Sequence, residues 1–519
     1  MKILVLFSLF FGLCSVESLK VLVCFHMPVK SLSILGTGVV RHLLNAGHEV
    51  TYITVYPLKN PPTKNFRQID ISKNIELVAH DETLTMGYVL EHQIEKNGAY
   101  QIQVFAEENA RLTFNNENMK KLIQDPNEKF DVVVCDLLES EVYAGLAVLY
   151  ECPMVWLYSM GAHWQVLRLI DHGTNPAFTP DYLSPNNLPL SFSERVEELW
   201  ARVRWQFLKT FITQPRERKM YEEIFGPLVA RRGRTLPDYE DVIYNASLIF
   251  GNEHNAIRDR PATPQNFKYI GGFHIEDPVK PLPKHLQELM DNSKHSVIYF
   301  SMGSFLQSTS LPRKLVVELL NMFGELKQTV IWKYETNLTD IPKNVHIVNW
   351  APQPSILAHP NLKMFITHGG LLSSLEAVHF GVPIIGVPVF FDQFTNINKA
   401  VVNGFALRVN LDYDLPNGLR SAIKVMLNDN RYSQKVKEMS SIYHDRLAKP
   451  GDEIVHWVEH VVRTRGSHHL RSPAFYVPLY QRLYLDLLAL ILAAIYVIKQ
   501  LLASFYETKS KKNSKKKRN

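Results

Sequence analysis

Residues 365–393, FITHGGLLSSLEAVHFGVPIIGVPVFFDQ, decide the fold. The run from Lys363 to Thr367 has the length of a buried strand. His368, Gly369 and Gly370 follow, then a helical pattern over residues 371–380 that Gly381 stops. Residues 382–388 read as the next strand, and Asp392-Gln393 opens another helix. This is a βαβ unit with a Gly-Gly pair at its first strand-to-helix turn. Such a turn aims free backbone N–H groups and the positive end of a helix outward, which makes it a seat for a phosphate.

Working outward, the same texture continues upstream. Strands are expected at 296–301, 329–332 and 345–349, with a helix at 311–326 and a Met302-Gly303-Ser304 turn. Residues 276–284, EDPVKPLPK, hold three prolines in nine and read as a linker. Before the linker the pattern runs once more. A strand at 19–25 leads to a loop at 26–33 containing Pro28, a helix at 34–46 stopped by Gly47, and a strand at 48–55. A helix is expected over 103–124, strands at 131–136 and 153–158, and a helix at 141–150. From 161 to 240, aromatic, Arg and Glu residues alternate at helical spacing (Trp200, Arg204, Phe207, Phe211), which reads as helical excursions walling a substrate pocket. Short strands at 248–251 and 268–271 close this half. The expectation is α/β, with two Rossmann-like halves at 19–275 and 285–480.

Composition narrows the function. At 519 residues the chain exceeds one ordinary core. Its net charge of +6 comes from residues 509–519 of the basic tail at 507–519, where Lys509, Lys511, Lys512, Lys515, Lys516, Lys517 and Arg518 supply seven positive charges; everything before residue 509 carries −1. A near-neutral body gives no support to nucleic-acid binding. Residues 1–18, MKILVLFSLFFGLCSVES, read as a secretory signal cut near Ser18. Past Cys14, only Cys24, Cys135 and Cys152 remain, too few for a disulfide framework, and free buried thiols are expected. Asn245 and Asn337 begin glycosylation sequons. Residues 483–506 are apolar except for Asp486, Lys499 and Gln500, and the basic tail follows at once. That order fits one membrane span with a cytosolic C-terminus.

The residue set F-I-T-H-G-G-x-x-S-x-x-E, then P-I-I-x-x-P-x-x-x-D-Q, with Trp350-Ala351-Pro352-Gln353 and Phe300-Ser301-Met302-Gly303-Ser304 upstream, resembles the signature of the UDP-glycosyltransferases. The resemblance spans essentially the whole chain and is nearest the membrane-bound animal branch, with the Leu371-Leu372-Ser373 form similar to arthropod members. It implies the GT-B fold of two facing Rossmann-like domains, with a C-terminal transmembrane helix. It implies that Trp350 stacks on uracil and Gln353 hydrogen-bonds the nucleotide. His368 and the N–H groups near Gly369-Gly370 hold the diphosphate, with Ser304 nearby and Ser373 in the same turn. Glu376 accepts from both ribose hydroxyls, and Asp392 and Gln393 bind the sugar.

The resemblance also implies a catalytic His after a Ser in the first loop of the N-terminal half. Here that loop reads Pro28-Val29-Lys30-Ser31-Leu32, so the His position is Leu32. The partner Asp is present as Asp136. Leucine takes no proton, and three readings stay open. The acceptor attacks without a full base, or with Asp136 alone; His26 substitutes; or the protein binds UDP-sugar without transferring it.

The expected activity is therefore inverting transfer of a hexose from a UDP-sugar to a small lipophilic acceptor. UDP-glucose is first choice and UDP-glucuronate second. The alternative is a non-catalytic UDP-sugar-binding protein of the endoplasmic reticulum lumen. No metal or other cofactor is expected, since no clustered carboxylate motif is visible. The expected placement is a lumenal body on a single span in the endoplasmic reticulum membrane, with Lys516-Lys517 resembling a retrieval signal. A homo-oligomer is open, and nucleic acid is not an expected partner.

Overall fold

The computed structural model describes residues 18–79, 85–92, 99–138, 140–170, 175–181, 184, 186, 188–254, 256, 263–305 and 307–516. The expected signal segment before Ser18, and Lys517 of the terminal dilysine pair, lie outside these residues.

The N-terminal half is built on β1 (Lys20–Phe25), β2 (Glu49–Thr54), β3 (Phe66–Asp70), β4 (Val132–Asp136), β5 (Met154–Tyr158), β6 (Leu248–Gly251) and β7 (Phe267–Tyr269), in the order β3-β2-β1-β4-β5-β6-β7. Every pairing is parallel. All five residues of β4 and of β5 are buried, as strands covered by helices on both faces must be. The C-terminal half repeats the plan with β8 (Val297–Ser301), β9 (Thr329–Lys333), β10 (Val345–Val348), β11 (Leu362–Thr367), β12 (Ile384–Gly386) and β13 (Ala406–Arg408), ordered β10-β9-β8-β11-β12-β13. In each sheet the strand order reverses at one place, between β1 and β4 and between β8 and β11. The crevice beyond the strand ends at such a reversal is where open sheets hold ligands.

Several expectations need correction. The first helix starts at Lys30, not 34, so Leu32 lies in its opening turn rather than in a loop. Pro28 and the extended Val29 deliver the chain straight into the helix without a side-chain cap, and that missing cap is why the start was not legible. The expected helix over 103–124 is two helices, Ala99–Asn115 and Glu117–Gln124, because the Asn116 side chain caps the second by accepting from Asn118 N–H at 2.9 Å. The boundary at 480 also fails. The helix Pro450–Arg463 returns to the N-terminal half, where Ile454, Val458 and Val461 share a core with Val21, Val23, Leu35 and Val39.

The helical excursion departs from expectation as well: no described residue between 161 and 240 lines the cleft described below. Its helices Phe192–Leu208 and Gln214–Arg231, joined by the wide turn Lys209–Thr213, pack elsewhere. Lys209 is buried among carboxylates, pairing with Glu141 and, at 2.6 Å, with Glu217; Arg168 closes the network on Glu141. The outer face of Phe192–Leu208 leaves Phe192, Val196, Trp200, Val203 and Phe207 exposed.

Both sheets belong to one compact unit ending at Leu470. The remaining unit, from Arg471, contains the helix Leu485–Lys516. Its portion Leu485–Lys509 is long and apolar enough to cross a membrane. Asn245 and Asn337 are both exposed, and Cys24, Cys135 and Cys152 are free thiols.

Candidate active site

A cleft of about 840 Å³ lies between the two halves, at the ends of β1, β8 and β11. Its C-terminal wall holds Ser304, Trp350, Gln353, His368, Gly370, Ser373, Glu376, Asp392 and Gln393. Of the expected donor-side residues only Gly369 does not line it. Gly369 instead shapes the turn. Its φ is +84°, and a Cβ there would fall 2.4 Å from Ile397 Cγ1, so only glycine lets β11 turn into the helix Leu371–Phe380 at this depth.

The His368 ring sits between two glycines. A Cβ on Gly303 would lie 2.5 Å from its Cε1, and one on Gly370 would lie 2.6 Å from its Nε2. Burial, reinforced by the Lys333 charge, holds the imidazole pKa down to about 4. It is therefore neutral at pH 7, and Nδ1 has no hydrogen-bond partner. Lys333, at the end of β9, also lines the cleft; it donates to Gly303 O at 2.6 Å and pairs with Glu335 at 2.7 Å. Sequence reading missed it. The available signal was a lysine finishing the apolar strand Thr329–Lys333 at its ligand-facing end. A neutral N–H donor, a cation and a helix N-terminus here converge on one place, a combination suited to a diphosphate.

Deeper in the wall, Glu376 is 5 % exposed. Its Oε2 accepts from Gln353 Nε2 at 2.6 Å and its Oε1 from His274 Nε2 at 3.1 Å. Gln353 Nε2 also donates to Ser373 Oγ at 3.0 Å, and Tyr299 donates to Gln353 Oε1 at 3.2 Å. Trp350 is 56 % exposed, a flat ring available for stacking, with Lys30 Nζ 5.6 Å from its centroid. Asp392 does not cap its helix as a sequence cap would. Its Oδ2 accepts from Asn396 Nδ2 at 2.7 Å, and burial raises its pKa to about 6, so it is ionised at neutral pH. Gln393 commits its carbonyl to the Val389 and Phe390 N–H groups at 2.9 and 3.2 Å, which leaves its amide free to donate.

The opposite wall is apolar, made largely of Met27, Leu32, Ile34, Ile102, Phe105, Leu138 and Met160. Among the described residues its strands and helices offer Ser31, Tyr88 and Ser159 but no imidazole, carboxylate, amine or thiol; the segment after β7 adds His274, bonded to Glu376, and Glu276, paired with Arg41 and Lys280. Neither His26 nor Asp136 lines the cleft. His26 is fully buried and stacked on Tyr143 at 3.8 Å. Its Nδ1 accepts from Asn109 Nδ2 at 2.8 Å and its Nε2 donates to the Asp136 carbonyl at 3.2 Å. With both nitrogens engaged, burial drives its pKa to about 3. The Asp136 carboxyl is also fully buried, has no partner on either oxygen, and is raised to about 8 by burial.

Known proteins resemble this chain in sequence and in fold. A sequence profile described as "UDP-glucoronosyl and UDP-glucosyl transferase" matches residues 20–519. UDP-glucosyltransferase 2 of Dactylopius coccus is 30% identical over 492 residues, covering 93% of each chain. UDP-glucuronosyltransferase 2B10 of Homo sapiens is 31% identical over 390 residues, covering 73% of this chain and 70% of its own. Among solved structures, the calicheamicin glycosyltransferase CalG4 superposes with a TM-score of 0.55 at 17% identity, covering 86% of this chain and 99% of its own, which shows a shared GT-B fold. Two parallel Rossmann-type sheets around one cleft, and a family match along nearly the full length, lead to one conclusion: the chain belongs to the UDP-glucuronosyl and UDP-glucosyl transferase family and is a UDP-glycosyltransferase.

Proposed function

We propose that this enzyme transfers glucose from UDP-glucose, with inversion, to a small lipophilic acceptor whose attacking atom needs no enzyme base. The observation that carries this reading is the contrast between the two walls, a polar donor wall facing an apolar one whose described strands and helices offer no base, while His274 and Glu276 beside it are engaged with Glu376 and with Arg41 and Lys280. In this reading Trp350 stacks on uracil, Glu376 accepts from the ribose hydroxyls, and Asp392 and Gln393 hold the sugar. The acceptor attacks the anomeric carbon from the side opposite UDP. The anomeric C–O bond breaks, and its electron pair leaves on the diphosphate. His368, Lys333 and the N-terminus of the helix Leu371–Phe380 stabilise that charge, so the residues present can do this without a metal. A carboxylate or phenolate acceptor has no proton to lose, and an amine releases its proton to solvent after attack. The glucosyltransferase relative, which overlaps more of the chain than the glucuronosyltransferase, supports glucose over glucuronate. The apolar helix, the basic tail and two exposed sequon asparagines support a lumenal body anchored in the endoplasmic reticulum membrane.

The test follows UDP release from membranes given UDP-glucose or UDP-glucuronate with amines, carboxylic acids, acidic phenols and simple alcohols. Amines and pre-ionised acceptors should turn over and simple alcohols should not. Leu32→His should bring alcohols in by a factor on the order of 10²–10⁴, the contribution of a general base. Wild-type turnover of simple alcohols at rates matching amines would sink the proposal.

A further inference from the structure

We propose that His274 is a positioning residue of the donor site. It turns the Glu376 carboxylate toward the ribose and thereby sets the preference for a ribonucleotide over its 2′-deoxy counterpart. The proposal rests on the reading of Glu376 as the ribose acceptor.

His274 comes from the segment joining the two halves, more than 20 residues before β8. It nevertheless lines the cleft, and its side chain is 1% exposed. Its Nε2 is 3.1 Å from Glu376 Oε1, and its Nδ1 is buried without a partner. Nε2 must therefore carry the proton and donate, since a carboxylate oxygen only accepts. The ring is held by packing, its side chain being almost fully buried, and both halves hold the backbone just before it. From the first helix, Arg41 Nη2 and His42 Nε2 each reach Phe273 O at 2.8 Å. From the C-terminal half, Tyr443 Oη and Arg446 Nη2 reach Gly271 O at 3.1 and 2.8 Å.

Glu376 needs such a partner. Its backbone is fixed, since Leu375 and Ala377 are fully buried on either side. Its own torsions are not, and a glutamate held at one oxygen can still rotate its carboxyl plane. Gln353 holds Oε2 and His274 holds Oε1, one donor per oxygen. Each oxygen keeps a free lone pair, and the two free pairs suit two vicinal hydroxyls. Positioning of this kind acts before the ligand arrives and spares the ordering cost on binding.

The experiment compares UDP with 2′-deoxy-UDP on the full-length enzyme by calorimetry. Four variants are used: Glu376→Gln, His274→Leu, His274→Asn and His274→Gln. The wild type should prefer UDP by roughly tenfold, the worth of a hydrogen bond to a charged group. Glu376→Gln should remove that preference; if it does not, the ribose reading of Glu376 fails. With that established, His274→Leu should lose most of the preference by weakening UDP and leaving 2′-deoxy-UDP nearly unchanged. His274→Asn, whose amide falls short of Oε1, should behave likewise and serves if the leucine variant does not fold. His274→Gln, whose Nε2 reaches as far as the imidazole donor, should restore it. An unchanged preference in His274→Leu or His274→Asn overturns the positioning role, as does an equal loss for both nucleotides, which is what a merely structural role predicts.

Discussion

Replacing Gly303 with alanine tests how the diphosphate seat is built. The substitution has two separable costs. The first is conformational: φ is +85°, and an L-residue there costs about 1–2 kcal/mol. The second is steric. The new Cβ would stand 2.5 Å from His368 Cε1, where ordinary contact begins at 3.4 Å, so the imidazole must retreat by about 0.9 Å. A misplacement of that size in a group facing the reacting atoms costs on the order of 10²-fold, or about 2.7 kcal/mol of transition-state stabilisation. Gly404→Ala isolates the first cost. Its φ is +80°, the nearest atom is Lys435 Cγ at an ordinary 3.6 Å, and it is absent from the cleft lining. Gly303→Ala should lose at least as much thermal stability as Gly404→Ala, and only Gly303→Ala should lose UDP affinity, measured by calorimetry, and kcat/KM with UDP-glucose. A Gly303→Ala enzyme that binds UDP like the wild type would refute the role given to His368.

Other substitutions probe the opposite half. Asp136 is raised to about 8 by burial, so the folded state holds its proton between the ordinary carboxylate range and pH 8, and stability falls as pH rises through that window. In Asp136→Asn this loss disappears: its melting temperature should gain on wild type as pH goes from 4 to 8 and then level off, with a gap on the order of 6 kcal/mol at most. His26→Phe should keep the stacking on Tyr143 but strand Asn109, costing about 1–3 kcal/mol in denaturant melts while leaving kcat per folded molecule intact; loss of kcat would make His26 the base. Lys209→Met should leave the buried Glu217 facing Glu141 with no cation of its own, Arg168 remaining on Glu141, and cost about 3–5 kcal/mol, read by chemical denaturation. Activity at acidic pH should fall as Asp392 protonates near pH 6, and Asp392→Asn should be slow at every pH with that limb removed.

The donor wall was nearly all legible because a nucleotide imposes residue types at set spacings. Glu376 lies eight positions after His368, and the helix Leu371–Phe380 between them was expected with the bounds observed. What escaped were residues contributed from other elements. Lys333 and His274 reach the same cleft from β9 and from the joining segment, and no spacing links them to Phe365–Gln393. The return of Pro450–Arg463 to the first half was equally hidden. Its apolar positions Ile454, Val458 and Val461 show that a face is buried, but not which half buries it. The excursion at 161–240 was misread because an aromatic helical stripe is the same pattern whether it walls a pocket or lies open, as Trp200 and Phe207 do.

The two halves share one strand order over six strands, the first adding β7 at its edge, yet only one carries a readable code, and the physical reason bears on Leu32. A diphosphate and a ribose demand fixed charges, free N–H groups and tight glycine turns, which few residue types supply. An apolar acceptor demands only shape and dryness, which Met27, Leu32, Ile34, Phe105 and Met160 meet as many other sets could. A catalytic base is the one feature that would stand out on such a wall. Leu32 is 7% exposed and lines the cleft, so the position is occupied by packing rather than left vacant. Asp136, with both oxygens buried and unpartnered, is a carboxyl whose surroundings do not stabilise its charge. On the proposed reading this mostly apolar wall receives the acceptor, and the base it lacks arrives with the acceptor. The range of acceptors is then set less by the shape of the wall than by which small molecules carry their own nucleophile, already deprotonated or needing no deprotonation, at the pH of their compartment.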